Sequence, residues 1–273
     1  MEQHRSNKIF PLVLALCLLI LVGRIVDLCL FTEAATGFVT AGPVWLRYAL
    51  PAMVACGAYL AGHFAAARPA ALLGRCAPLG GLMLAGGVLL AGAGLAGAPA
   101  ILALGSRWFV VLDCLAPFVG GIWLLVYGPR AFAPLGDKDT VPAPALTGLP
   151  LPLCFAWLVV RRFAVAPAAV VRLGCTLRVL SAVAALLFAS ALLKLFFVPG
   201  QPVGHTVFAT GMNCFLFATC CELPQAVFEA LHGTATVSSL LLALGLGVWG
   251  LCGLVCARGA AGADSPLPTP KAG

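Results

Sequence analysis

From Ile9 to Phe31 the chain carries two charged side chains, Arg24 and Asp27, in an otherwise apolar stretch. Runs of the same kind recur, separated by short polar or Pro/Gly-containing connectors, almost to the C-terminus. A bilayer core about 30 Å thick needs roughly 20 apolar residues in helical form. By that ruler the expected spans are 9–31, 44–66, 77–97, 108–127, 145–162, 173–197, 203–223 and 235–257. Nothing between them is long enough for a separate water-soluble domain.

Composition agrees. Of 273 residues, 62% are hydrophobic and 9% charged, with a mean hydropathy of +1.07. A soluble domain carries about 25% charged residues, which these cannot supply. The fold class is therefore all-α, a polytopic integral membrane helix bundle of eight transmembrane helices, with seven as the alternative. The bundle occupies 1–260, and the Pro-rich end 261–273, "GADSPLPTPKAG" in its core, is expected to be disordered. The basic lead "MEQHRSNK" resembles a signal peptide, but the apolar run after it is too long and lacks a small-x-small cleavage site. It is read as an uncleaved first helix.

The net charge of +7 comes from scattered Lys and Arg at the ends of apolar runs, a topology signal and not a nucleic-acid surface. With eight spans and both termini cytoplasmic, Arg5, Lys8, Arg68, Arg75, Arg130, Lys138, Arg258 and Lys271 lie inside. Arg107, Arg161, Arg162 and Arg172 lie outside, a bias of eight to four. The weak span is the fifth, where Pro150 and Pro152 disturb the first turns and Arg161-Arg162 favour the cytoplasm. If it does not cross, the bias becomes nine to three, but an uncharged stretch from Val141 to Val160 stays out of lipid. The eight-span arrangement is preferred.

Small residues at four-residue spacing, Gly87/Ala91 and Ala93/Gly97 in span three and Ala243/Gly247 in span eight, mark helix-packing faces. They serve packing within the chain, or docking of a membrane-protein partner or second copy. Most of the twelve cysteines sit inside apolar runs and read as small apolar residues. The four histidines are far apart, and no zinc spacing, G-x-S-x-G, H-E-x-x-H, Walker A or dinucleotide motif occurs. No catalytic residue, metal or cofactor is expected.

Charges inside spans cost about 2.5–3.5 kcal/mol each at a helix centre and usually face a bundle interior or water. At 1.5 Å per residue, Asp27 lies roughly 6 Å from the end of its helix and Arg47 roughly 5 Å into the next. Asp113 and Arg178 fall at similar depths, and Glu222 ends its span at the same level, just before Pro224. Arg24, Asp27, Arg47, Asp113, Arg178 and Glu222 are thus the candidate ligand-binding layer, an outward-facing polar cavity for a small solute. The structural alternative pairs Arg24 with Asp27 at i, i+3 and lets the others brace helices or reach headgroups. Lys194 and His205 are expected alone near the inner face. The expected partners are the lipid bilayer, a small solute, and a membrane protein or second copy.

Overall fold

A continuous apolar run that cannot leave its amides unpaired in lipid has to become helix, and eight helices follow among the described residues of the computed structural model. It describes residues 2–33, 37–65, 76–104, 107–132, 145–165, 173–198 and 201–262. The helices are α1 (Glu2–Phe31), α2 (Val44–Gly62), α3 (Ala77–Leu104), α4 (Trp108–Tyr127), α5 (Pro150–Val165), α6 (Leu173–Phe197), α7 (Gly204–Leu231) and α8 (Val237–Ala261). Seven are long and apolar enough to cross a membrane, and α5, at 16 residues, is the short one. The expected tail 261–273 and the basic stretch from Arg68 to Arg75 lie almost wholly outside the described residues.

Helices α4 and α6 keep the expected bounds, whereas α3 and α7 do not. Helix α3 runs through Pro99 to Leu104 instead of stopping at 97. Helix α7 does not end before Pro224. Its first segment, Gly204–Cys214, passes into a π-helical stretch, Phe215–Glu222, and then into Leu223–Leu231 with proline in the first turn. In a regular α-helix the proline ring collides with the carbonyl four residues back. A π turn lies just before Pro224, and the helix continues past it and carries Glu229 with it.

The chain alternates direction at every helix. The α1–α2 turn sets Asp27 beside Arg47, and the far end of α2 meets the start of α7 where Gly62 faces the His205 carbonyl. Helix α3 runs against α8, early residue Gly86 facing Gly245 and Val248, late residue Gly97 facing Ser238. Helix α4 opposes α3 through Gly121 with Gly87 and Cys114 with Gly94. Helix α5 opposes α4, with Arg161 on Asp113 at one end and Thr147, just ahead of it, on Trp123 at the other. Helix α6 then returns along α5, from Arg178 beside Arg162 to Leu193 and Phe197 against Gly148. The short α5 therefore runs antiparallel to both α4 and α6, preceded by the 3-10 turn Ala145–Gly148. The first and last helices leave from the same end of the bundle.

The core centres on Trp249, fully buried against Phe188 and Phe155 at ring-centre distances of 4.8 and 5.8 Å. Close approach of α7 and α8 depends on Gly211 and Gly253, where a methyl on either would come within 2.5 Å of the other's carbonyl oxygen. The small residues read as packing faces are used in the same way. Gly121 of α4 lies against Gly87 and Ala91, Gly97 against Cys114 and Ser238, and Gly247 against Leu223. These faces are occupied by neighbouring helices of the same chain.

Candidate functional site

Five arginines and four carboxylates collect near the end of the bundle where α1 finishes and α8 begins. Helix α1 contributes Arg24 and Asp27, one helical turn apart, and they pair as their spacing predicts, Arg24 Nη1 donating to Asp27 Oδ2 at 2.6 Å. Asp27 Oδ1 receives the Nε–H of Arg47 at 2.6 Å. The other nitrogens of Arg47 donate to the Ala41 and Gly42 carbonyls at 2.8 and 3.4 Å. Gly42 lies in the left-handed region, φ +83°, a turn conformation that disfavours other residues.

Arg24 also reaches across to α7, its Nη2 donating to Gln225 Oε1 at 2.5 Å. The amide of Gln225 passes the connection on, its Nε2 donating to Glu229 Oε1 at 2.8 Å. Arg178 of α6 then closes on the other oxygen of Glu229. Next to this chain, Arg162 of α5 donates through Nη1 and Nη2 to the Glu222 carboxylate at 2.9 and 2.5 Å. Arg162 Nη1 further contacts the Arg178 carbonyl and Ser181 Oγ, and the Ser181 hydroxyl donates to Glu222. Glu222 is 1% exposed, so full satisfaction by Arg162 and Ser181 is what makes its burial tolerable. On the α4–α5 side Arg161 Nε donates to Asp113 at 2.7 and 2.9 Å, and the Trp157 indole adds 2.9 Å. The Arg161 guanidinium lies over the Phe109 ring.

All six predicted residues thus sit at one level, but they do not line one cavity. Asp113, Arg178 and Glu222 line a polar cavity of about 770 Å³ between α4, α5, α6, α7 and α8, together with Arg161, Arg162 and Glu229. Arg24, Asp27 and Arg47 line a separate, mostly apolar cleft of about 600 Å³ between α1 and α2, with α6 and α7 as its floor. The expected single cavity is corrected to two, whose charged groups are linked through Gln225, because α7 places its end between them.

Sequence reasoning missed Arg161, Arg162, Gln225 and Glu229. The arginine pair read as a loop-end topology signal, and Gln225 and Glu229 lay beyond the proline taken as the end of α7. The usable signal was that Glu222, Gln225 and Glu229 keep helical spacing through Pro224. Lys194 is exposed near the other end, and His205, expected to be alone there, stacks on His63 with ring centres 5.6 Å apart. Among the described residues no group of His, Cys, Asp or Glu has the makings of a metal site. Comparison with protein-family models, curated proteins and solved structures returns no match.

Proposed function

We propose that this multi-pass membrane protein binds a small zwitterionic solute in the cavity of about 770 Å³. The carrying observation is that three Arg–carboxylate pairs, Arg161–Asp113, Arg162–Glu222 and Arg178–Glu229, line one open volume within an apolar bundle. Their charges sum to zero. A solute bearing both signs exchanges partners with such pairs without leaving a net charge desolvated, whereas a simple ion would. The volume falls in the range of small-ligand sites, about 300–1,000 Å³.

The pairs divide the work by exposure. Arg161 and Asp113 keep roughly a third of their side-chain surface open and are the groups offered to solute. Arg162 and Glu222 are the least exposed of the three pairs and hold the floor. Bracing alone accounts for the pairing but not for the open volume. With both termini cytoplasmic, the orientation that the Lys and Arg bias favours, the cavity faces outward and suits uptake or sensing.

The test is thermal stabilisation of detergent-solubilised protein by a panel of amino acids and betaines, against sugars and inorganic salts. A zwitterion should raise the unfolding temperature, and R161Q and D113N should abolish that rise while remaining folded. Absence of any stabilising solute, or a response unchanged in both variants, overturns the reading in favour of bracing.

A further inference from the structure

The cleft between α1 and α2 differs in chemistry from the polar cavity and has a separate opening. Its charged lining is two arginines and one carboxylate, Arg24, Arg47 and Asp27, and both guanidiniums fasten on that single Asp27. The third partner, Gln225, is neutral. The lining therefore keeps one positive charge in excess. In addition, the Nε of Arg24 is buried without any acceptor, although the residue is only 6% exposed.

Below the arginines the walls are apolar, with Leu19 and Ile20 on α1 and Leu50 on α2. Leu19, Leu46 and Leu50 are exposed on the bundle perimeter, so the cleft is open sideways to lipid. Along α1 it extends from Phe31 to Leu19, roughly 18 Å at the helical rise. Asp27 and Arg47 thus sit about 5–6 Å in from the helix ends, Arg24 lies one turn deeper, and the apolar wall continues toward the bilayer centre. That is the layout of a lipid molecule, with its headgroup outermost and its chain inward.

We infer that this cleft binds an anionic phospholipid drawn from the leaflet on the Asp27 side. The phosphodiester meets Arg24 and Arg47, and an acyl chain lies along Leu19 and Leu50. A single phosphodiester charge neutralises the excess of one, whereas a zwitterionic headgroup would bring a second cation toward the arginines.

The experiment is native mass spectrometry of the full-length protein from detergent micelles doped with dioleoyl phosphatidylglycerol, dioleoyl phosphatidylcholine or oleate. Phosphatidylglycerol should survive as an adduct well beyond phosphatidylcholine. R47Q should lower its retention about fivefold, the worth of one arginine near a lipid headgroup, and leave phosphatidylcholine unaffected. L50W, which fills the cleft without touching charge, should also lose the adduct. R130Q, at the opposite end of the bundle, should behave as wild type. R24Q should match R47Q, and if it fails to fold, R47Q and L50W decide the matter. Equal retention of the two phospholipids, or retention unchanged in both R47Q and L50W, overturns the inference. Arginine-dependent binding of oleate without phosphatidylglycerol overturns it too, assigning the cleft to a free carboxylate amphiphile.

Discussion

Arg162 and Glu222, 60 residues apart in sequence, meet as a two-pronged ion pair in which both terminal nitrogens of the guanidinium reach the carboxylate. The contact ties α5 to α7, and Ser181 of α6 completes it. It makes the shortest helix in the bundle part of the frame. A pair this deep costs desolvation to form, but removal of one member leaves an unmatched charge.

That asymmetry gives the first expected outcome. E222Q and R162Q should each lose about 3–5 kcal/mol of stability, measured by denaturant or thermal unfolding in detergent. The double variant R162Q/E222Q should recover about 0.5–3 kcal/mol relative to the sum of the single losses. Strict additivity would show that the pair is not coupled. The more exposed pair Arg161–Asp113 should cost only about 0–1 kcal/mol when broken.

Gln225 is the neutral link between the arginines of α1 and the carboxylate of Glu229. Q225M keeps the volume and removes both hydrogen bonds, stranding a buried donor and weakening the hold on Glu229. A loss of about 1–3 kcal/mol is expected for each unsatisfied group. Unfolding curves matching wild type would mean that the two charge groups are independent.

The α7–α8 seam leaves no space for a side chain at Gly253, whose added methyl would stand 2.5 Å from the Gly211 carbonyl oxygen. G253A should destabilise by about 1–3 kcal/mol. G57A adds a methyl where nothing lies within 4 Å and should be close to neutral. Similar melting temperatures for the two variants would refute the seam.

The antiparallel course of α5 between α4 and α6 carries a topological consequence. Leu146 and Phe163, both exposed, stand at opposite ends of that pass. L146C and F163C, made after replacing exposed Cys29 and Cys56, should react with a membrane-impermeant maleimide from opposite sides of the membrane. Labelling of both from one side would mean that α5 does not cross, leaving the seven long apolar helices as the crossings.

Much of this was legible without coordinates, because hydropathy acts locally. An apolar stretch of bilayer length becomes a helix whatever its neighbours are, so α4 and α6 began and ended where expected. Arg24 and Asp27, one turn apart on one helix, could be paired from spacing alone. The small-residue faces of α3 and α8 were equally readable, since close helix packing in lipid requires them. The partners of the other charges were not. Arg161 and Arg162 carry the same residue symbols as any cytoplasmic anchor, and only the return of α5 between α4 and α6 brings them to Asp113 and Glu222. Likewise, the helix continues through a π turn and past Pro224 to include Gln225 and Glu229, and a π turn has no residue signature. Membrane class and the depth of the charges follow from hydropathy and helical rise along one segment. Which charges meet, and in which of two cavities, depends on registers between helices far apart in the chain, which tertiary packing alone decided.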